Sequence, residues 1–284
     1  MKNTATLLIT CPDTRGIVAA IAEFLYQHNA NILHADQHQD AENNLFLMRV
    51  EWDVANFNLD ETAFIQAFAP IAAKFSMVWQ LKLSLHKTRV AIMVSQYDHC
   101  LADLLQRYKN GELHCEIPLI ISNHRDTEAL AKFYGVDFQH IAVTKDNKPQ
   151  AEAAQFKLFE QYNIDLIVLA RYMQILSGDF VARYPQRVIN IHHSFLPAFV
   201  GAKPYHRAFE RGVKLIGATA HYVTEVLDEG PIIEQNIDRI SHRDQVEDLI
   251  QKGRDLERSV LAKALRWHIE NRILLYANKT VIFD

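Results

Sequence analysis

The sequence predicts an α/β protein with two domains, and three observations support this prediction. The chain has 284 residues, more than a single domain usually holds. Its first part follows a βαββαβ pattern, whereas strands and helices alternate singly after Arg89. Hydrophobic residues make up 49% of the chain and charged residues 23%, which is typical of packed globular proteins. We predict the domains to be residues 1–86 and residues 87–284.

Alternating and helically spaced apolar residues define the elements of the first domain. Its predicted strands are Thr6–Thr10, residues 32–40, residues 45–52 and Met77–Leu85. Predicted helices follow the first and third strands, because apolar residues recur at helical spacing over Ile17–Leu25 and Phe64–Ile71. The polar segment Ala41–Asn44 makes the second and third strands a hairpin. This order is that of a ferredoxin-like sandwich.

In the second part of the chain, each strand is followed by a helix, which indicates parallel pairing with helices on the faces of the sheet. The predicted strands are Val90–Val94, Ile117–Ser122, Phe138–Val143, Ile164–Ala170, Val188–His192, residues 213–224 and residues 231–238. Predicted helices lie near residues 99–109, 126–134 and 151–162, and an apolar stripe over Val246–Ala264 indicates a long closing helix. The sequence therefore predicts a doubly wound, mostly parallel, Rossmann-like sheet, with ligands beyond the carboxyl ends of its strands.

Composition and charge exclude several classes of function. The net charge is −4, from 30 basic and 34 acidic residues without a basic block, so we expect no nucleic-acid partner. Cys11, Cys100 and Cys115 lie far apart, which indicates reduced thiols rather than disulfides or a zinc site. We find no apolar stretch of membrane-spanning length and no signal peptide, and we expect a cytoplasmic protein with no membrane partner.

Three polar residues near predicted strand ends suggest chemistry on a carbonyl group. Asn190 and His192 alternate with apolar neighbours in Val188–His192, so their side chains share one face of the sheet. With a carboxylate such as Asp228, an amide and an imidazole could bind a developing oxyanion while the carboxylate orients water. The alternative is a capped strand end, in which His192 binds only the backbone.

The sequence gives weaker support to two other kinds of chemistry near the same strand end, zinc binding and a serine nucleophile. Zinc could bind Asp228 together with imidazoles from His192, His193, His206 and His221. Adjacent histidines on a strand point to opposite faces, however, and no His-Glu-x-x-His helix is present, so we expect no metal. Ser194 lacks the Gly-x-Ser-x-Gly setting of a nucleophile, and a capping role fits it better.

The motifs around these residues resemble the folate-dependent formyltransferase superfamily. They are Leu169-Ala-Arg-Tyr-Met-Gln-Ile-Leu-Ser177, Asn190-Ile-His192-His-Ser-Phe-Leu-Pro197 with Gly201 downstream, and His221-Tyr-Val-Thr-Glu-Val-Leu-Asp228-Glu-Gly-Pro231. The resemblance implies that Asn190, His192 and Asp228 are catalytic. It also implies a folate-binding cleft formed by Leu169, Met173, Gln174, Ile175, Leu176, Val181, His221, Val223 and Glu225.

Departures from the superfamily narrow the choice of formyl acceptor. Glycinamide ribonucleotide transformylases have a Gly-rich loop after the first strand of this fold, which holds the phosphate of the acceptor. Here Val94 is followed by Ser95-Gln-Tyr-Asp98-His-Cys100, which contains no glycine and carries an acidic residue. Methionyl-tRNA formyltransferases have an additional C-terminal domain, whereas this sequence ends shortly after the long helix. The resemblance therefore implies that water takes the formyl group.

The first domain resembles ACT domains through Pro12-Asp13-Thr-Arg15-Gly16-Ile-Val18, which joins the first strand to the first helix. The order of the two domains, with Met93–Leu101 and Ile117–Asn123, resembles the formyltetrahydrofolate deformylase family over essentially the whole chain. That family hydrolyses 10-formyltetrahydrofolate to formate and tetrahydrofolate, which supplies formate for purine synthesis and balances the one-carbon pool.

The same resemblance implies a homo-oligomer without a cofactor. It further implies an amino-acid effector, such as methionine or glycine, at Asp13, Arg15 and Gly16, with a purely assembling ACT domain as the alternative. We expect Asp228 to orient or deprotonate water while Asn190 and His192 bind the oxyanion.

Two alternatives to hydrolysis remain. Formyl transfer to an unrecognised amine would require an acceptor for formyl release, whereas hydrolysis would yield formate without one. In the other alternative, the second domain is a decayed enzyme that serves the ACT domain as a binding module. The intact set of Asn190, His192 and Asp228 argues against decay.

Overall fold

The structure is a computed structural model that describes residues 3–197 and 204–284. The described chain forms two compact units. One unit contains the chain up to Lys87 together with Asn271–Asp284, and the other contains Thr88–Glu270. Gly201 of the sequence motif lies outside the described residues.

The first unit contains a four-stranded antiparallel sheet and two helices. Its strands are β1 (Thr4–Pro12), β2 (Asn31–Asp40), β3 (Leu45–Asp53) and β4 (Val78–Leu83), in the order β2-β3-β1-β4. The helices are α1 (Ile17–Gln27) and α2 (Glu61–Lys74). Apolar residues of the sheet and both helices share one core, in which Trp52 stacks on Phe64. The order and pairing confirm the predicted ferredoxin-like βαββαβ arrangement.

The second unit contains a seven-stranded sheet. Its strands are β5 (Arg89–Val94), β6 (Glu116–Ser122), β7 (Asp137–His140), β8 (Leu166–Leu169), β9 (Val188–His192), β10 (Leu215–Tyr222) and β11 (Ile232–Arg239). They lie in the order β11-β10-β9-β8-β5-β6-β7, with β5 to β9 parallel and the last two antiparallel. The chain moves outward from β5 through β7 and then resumes at β8 on the other side of β5. A switch point, where ligands bind in such sheets, therefore lies between β5 and β8.

The helices of this unit match the predicted ones except for two short additions. They are α3 (His99–Lys109), α4 (Glu128–Tyr134), α5 (Lys148–Gln161), α6 (Gly178–Arg183), α7 (Pro204–Arg211) and α8 (Val246–Ile269). The sequence pattern did not predict α6 and α7, because one or two turns give little periodicity. The predicted strands Phe138–Val143 and Ile164–Ala170 are shorter in the structure, since β7 ends at His140 and β8 at Leu169. Among the described residues, no helix combines the length and apolar composition that a membrane crossing needs.

A C-terminal hairpin belongs to the first unit, which differs from the predicted division at residue 86. Its strands β12 (Ile273–Tyr276) and β13 (Lys279–Ile282) pair in antiparallel fashion, and β12 contacts β1. Nε of the buried Arg49 donates a 2.9 Å hydrogen bond to the carbonyl oxygen of Asn271. The sequence analysis had assigned residues 271–284 to the second domain, whereas the structure places them in the first unit. Local patterns did not reveal this association, because the two bonded residues are 222 positions apart.

Candidate active site

Strand β9 presents Asn190 and His192 at the carboxyl end of the parallel strands. In the antiparallel pairing with β10, Asn190 lies opposite His221, and His192 lies opposite Thr219. His192 is buried and Asn190 is partly buried. The side chains of Asn190 and His192, which the alternation predicted to share one face, therefore lie next to β10, and side chains of β10 complete the site.

Asp228 contacts both His192 on β9 and His221 on β10. It lies in the turn after β10, with a left-handed φ of 59° that is uncommon for residues other than glycine. Its Oδ2 lies 3.2 Å from Nδ1 of His192, and its Oδ1 lies 3.6 Å from Nε2 of His221. The side chain of Asp228 is 9% exposed, so these contacts are shielded from water. The structure therefore brings Asn190, His192 and Asp228 into one cluster.

The second nitrogen of His192 is available for a reaction. Its Nδ1 faces the Asp228 carboxylate, which can only accept, so Nδ1 carries a proton. Nε2 is buried and has no hydrogen-bond partner among the described residues. Leaving a buried polar atom unpaired costs about 1–3 kcal/mol, so such atoms in native proteins call for an explanation. A bound substrate that supplies the missing partner is the explanation that fits this position.

His221 fixes the orientation of the Asn190 amide. Its Nδ1 lies 2.9 Å from the carbonyl oxygen of Tyr222, so Nδ1 donates a hydrogen bond to that oxygen. In the neutral ring, Nε2 then accepts from Nδ2 of Asn190, at 3.2 Å. His221 was predicted to contact folate, and the structure places it as a buried support beneath Asn190 and Asp228. Its direct contact with folate stays a prediction.

The charges of the site are set by burial and by the histidines. Burial opposes ionisation of Asp228, but its contacts with His192 and His221 outweigh it and hold the pKa of Asp228 well below its ordinary value. Asp228 is therefore a carboxylate at neutral pH. Burial, with a smaller contribution from the positive charge of Arg171, lowers the pKa of His193 to about 3. His193 is therefore neutral beside the His192 ring, whose centroid is 5.2 Å away.

The loop after β8 carries several of the predicted folate-binding residues. Leu169 is buried at the end of β8, whereas Met173 and Ile175 expose 53% and 63% of their surface. The loop is held at both ends: Met173 N–H donates to Oγ of Ser95 at 2.9 Å, and Ser177 donates to the buried Glu152. A held loop with exposed apolar side chains suits an apolar, planar ligand.

The loop after β10 forms the facing part of the predicted cleft. Leu176 and Val223 both pack against the apolar core beneath the two loops. A Cβ on Gly178 would lie 3.3 Å from a carboxylate oxygen of Glu225, so the two loops approach each other closely. Gln174 and Val181 are partly buried. Folate binding by this set stays a prediction.

A second buried group of polar residues, which the sequence patterns did not predict, lies in the second unit. Glu257 on α8 contacts His99, Tyr205 and Arg171, which come from three other segments of the second unit. Glu257 lies within the apolar stripe that predicted α8, between Gly253 and Val260. A charged residue in such a stripe was the available signal, because buried carboxylates are nearly always paired.

The predicted effector residues occupy one turn of the first unit. Gly16 has a φ of 93° and precedes α1, a conformation that favours glycine. Asp13 accepts a hydrogen bond from the side chain of Gln39 on β2, and Arg15 is exposed. Their role in effector binding stays a prediction.

Comparisons with known proteins identify the family. A formyl transferase family model matches residues 88–265, and an ACT domain model matches residues 5–66. A protein of Synechocystis sp. named formyltetrahydrofolate deformylase is 58% identical over 284 residues, which cover 100% of both chains. The chain belongs to the formyltetrahydrofolate deformylase family. The ACT and formyltransferase-like domains that the sequence motifs implied are thereby confirmed.

Solved structures agree with this family assignment. A formyltetrahydrofolate deformylase from Pseudomonas syringae pv. tomato is 49% identical with a TM-score of 0.97, covering 100% of this chain and 95% of that one. A glycinamide ribonucleotide transformylase from Symbiobacterium toebii is 31% identical with a TM-score of 0.66. The latter match covers 72% of this chain and 98% of the transformylase. The deformylase family therefore shares its second unit with enzymes named as transformylases.

Proposed function

We propose that this chain hydrolyses 10-formyltetrahydrofolate to formate and tetrahydrofolate, with Asn190, His192 and Asp228 as the catalytic residues. The observation that carries the proposal is the 3.2 Å contact between Asp228 and Nδ1 of His192, which leaves the buried Nε2 for the substrate. A carboxylate, an imidazole and an amide at one point provide a base, a proton carrier and an oxyanion donor.

The reaction begins with water bound by Asp228. The carboxylate orients the water and accepts one of its protons, while the water oxygen forms a bond to the formyl carbon. The carbonyl electrons move onto the oxygen. The second N–H of the Asn190 amide, whose first N–H is used by His221, donates to the resulting oxyanion. Nε2 of His192 donates to the same oxygen when the ring carries a second proton.

The tetrahedral intermediate then collapses. The bond between the formyl carbon and the folate nitrogen breaks, its electron pair stays on the nitrogen, and that nitrogen takes up a proton. Because Nδ1 of His192 already carries a proton toward Asp228, we propose that Asp228 itself returns the proton taken from water to that nitrogen of the folate. The products are tetrahydrofolate and formate, and one proton is released overall. These side chains supply every step, so we propose that no metal or organic cofactor takes part.

The decisive experiment follows formate and tetrahydrofolate after the purified protein meets 10-formyltetrahydrofolate without an amine. We expect equal amounts of both products. Addition of glycinamide ribonucleotide should not change the rate or yield a formylated amine, because the glycine-free loop before α3 offers its phosphate few backbone donors. Consumption of substrate that depends on the amine would instead favour a transferase.

The cellular setting of the activity is also a proposal. Three buried cysteines that form no disulfide among the described residues are in keeping with a reducing compartment, and we place the reaction in the cytoplasm. We propose that the formate serves purine synthesis and that the ACT domain assembles a homo-oligomer and binds an amino acid such as methionine or glycine. Calorimetry with each amino acid, together with rates measured in its presence, tests the effector. An unchanged rate and no heat of binding would leave assembly as the role of the domain.

A further inference from the structure

Helix α5 contacts both ends of the loop that joins β8 to α6, residues 170–177. Near the start of the loop, Nε2 of Gln155 donates a 3.1 Å hydrogen bond to the Tyr172 hydroxyl. At its end, the two carboxylate oxygens of Glu152 accept hydrogen bonds from the backbone N–H of Ser177, at 2.9 Å, and from its hydroxyl, at 2.5 Å. Glu152 and Gln155 are three positions apart, so they lie on one face of the helix. A single turn of α5 therefore holds both ends of the loop.

The contacts with α5 are shielded from water. Glu152, Gln155 and Tyr172 are buried, and Gln155 exposes only 1% of its surface. Away from water a hydrogen bond is electrostatically stronger, because the local dielectric constant is low. Between the two held ends, Met173 and Ile175 are exposed. The helix therefore fixes the backbone of the loop and leaves apolar side chains available to a ligand.

The backbone at the start of the loop needs support from its surroundings. Arg171, immediately before Tyr172, has a φ of 64°, in the left-handed region that is uncommon for residues other than glycine. Such conformations persist only where the surrounding structure holds them. At the other end, the Ser177 hydroxyl accepts a hydrogen bond from the N–H of Phe180 and so caps α6. Because the same hydroxyl donates to Glu152, that contact fixes where the loop ends.

Stability alone does not explain a glutamine at position 155. Its Oε1 atom is buried without a hydrogen-bond partner among the described residues. An unpaired buried oxygen lowers stability, and an apolar side chain of similar size would avoid that loss. The adjacent Phe156, on the same helix, packs into the apolar core. The contact with Tyr172 is therefore the property that glutamine adds.

We propose that Glu152 and Gln155 are positioning residues that hold the loop after β8 in the shape that binds folate. The proposal rests on the proposed function, because the loop carries several of the residues assigned to folate binding. Neither positioning residue contacts the group formed by Asn190, His192 and Asp228 through a hydrogen bond among the described residues. Loss of the α5 contacts should therefore weaken folate binding and leave the chemical step nearly intact.

Gln155→Leu separates a positioning role from a structural one. Calorimetry on the full-length protein measures the binding of tetrahydrofolate, the product, without turnover. We expect the Kd to rise about tenfold because the loop loses its contact at Tyr172, while the melting temperature stays equal or rises. Steady-state hydrolysis of 10-formyltetrahydrofolate should show a raised KM, with kcat within about threefold of that of the unsubstituted protein. A lowered melting temperature with an unchanged Kd would show that Gln155 is purely structural.

Tyr172→Phe tests whether Gln155 acts through the tyrosine hydroxyl. This variant should raise the Kd for tetrahydrofolate by about the same factor as Gln155→Leu. The double variant should bind no more weakly than either single variant, because both substitutions remove the same contact. Fully additive losses would overturn the assignment of this pair.

Glu152 can be tested by rescue with the conservative variant. The amide of Glu152→Gln can accept from the Ser177 N–H and donate to its hydroxyl, so its Kd should stay within about threefold of the unsubstituted value. Glu152→Ala loses both contacts and should raise the Kd about tenfold or more. Glu160→Ala, at an exposed position of the same helix, is the matched control and should bind normally. If Glu152→Ala does not fold, the Gln155 and Tyr172 variants decide the proposal.

The same measurements distinguish failure of this proposal from failure of the proposed function. Equal Kd values for the unsubstituted protein, Gln155→Leu and Glu152→Ala would overturn the positioning role and leave hydrolysis untouched. If the unsubstituted protein neither bound tetrahydrofolate nor released formate, the proposed function itself would fall, and the positioning role with it.

Discussion

Asn190 and His221 face each other across the pairing of β9 with β10, and the Asn190 amide nitrogen lies 3.2 Å from Nε2 of His221. The other nitrogen of His221 is committed to the backbone carbonyl of Tyr222. The imidazole is therefore a fixed acceptor, and it determines which end of the Asn190 side chain can reach a substrate.

His221→Phe should lower kcat about 10- to 100-fold and leave KM for the folate substrate nearly unchanged. The reason is that loss of one buried hydrogen bond costs about 1–3 kcal/mol, and each 1.36 kcal/mol is tenfold in rate. Steady-state kinetics on the folded variants would test this, with His221→Gln as the variant that keeps an acceptor and partly restores kcat. A rise in KM with normal kcat would instead assign His221 to folate binding.

Asp228→Asn should lower the rate of hydrolysis by orders of magnitude and retain folate binding. The amide has nearly the same shape as the carboxylate but cannot accept a proton from water. Asp126→Asn, at an exposed position, is the matched control. Folate affinity by fluorescence and turnover by formate release would be compared. Near-normal turnover in a folded Asp228→Asn protein would remove Asp228 from the catalytic set.

The lowered pKa of Asp228 predicts a loss of stability in acid. The folded state binds a proton to this carboxyl less readily than the unfolded state does, so acidification favours unfolding. The contribution is complete above the unfolded pKa of about 4 and declines as the pH falls toward the lower folded value. Calorimetric unfolding from about pH 7 to about pH 3.5 should show a smaller acid-induced shift for Asp228→Asn than for Asp126→Asn. Equal shifts in the two variants would contradict this prediction.

Gly253→Ala should disturb the contact between Tyr205 and Glu257. A Cβ at Gly253 would lie 2.1 Å from the Tyr205 hydroxyl oxygen, so the ring or its helix must move. Overpacking of this kind costs typically about 1–3 kcal/mol. Thermal unfolding should show the loss, and Tyr205→Phe in the same background should not lose further stability, since the hydroxyl is already displaced. A fully additive double variant would show that the two positions are independent.

A protein of residues 87–284, which lacks only residues 1–86, should be less soluble than a protein of Thr88–Glu270. The shorter deletion keeps the hairpin of β12 and β13 but removes β1 and Arg49, with which the hairpin associates. Apolar residues of the hairpin would then be exposed. Size-exclusion chromatography and folate binding of both segments would test this. Better behaviour of residues 87–284 would show that the hairpin does not depend on the first unit.

Local patterns predicted much of the site and missed what depends on distant contacts. Alternation in Val188–His192 placed Asn190 and His192 correctly on one strand, because period two follows from backbone geometry. Spacing alone could not place Asp228 against His192, and the resemblance of the motifs supplied that expectation. The left-handed conformation of Arg171 and its contact with Glu257 remained hidden, since they depend on the meeting of β8 and α8 in three dimensions.

The division of the first unit between the two ends of the chain has a consequence for biosynthesis. Domains generally fold as units while the ribosome synthesises the chain from its N-terminus. Here the strands of the first unit emerge early, yet Arg49 meets Asn271 only after the whole of Thr88–Glu270 has been translated. A nascent chain that stalls or is cut short within the second unit therefore carries an unfinished first unit. Completion of that unit marks a polypeptide that has been translated past its catalytic segment.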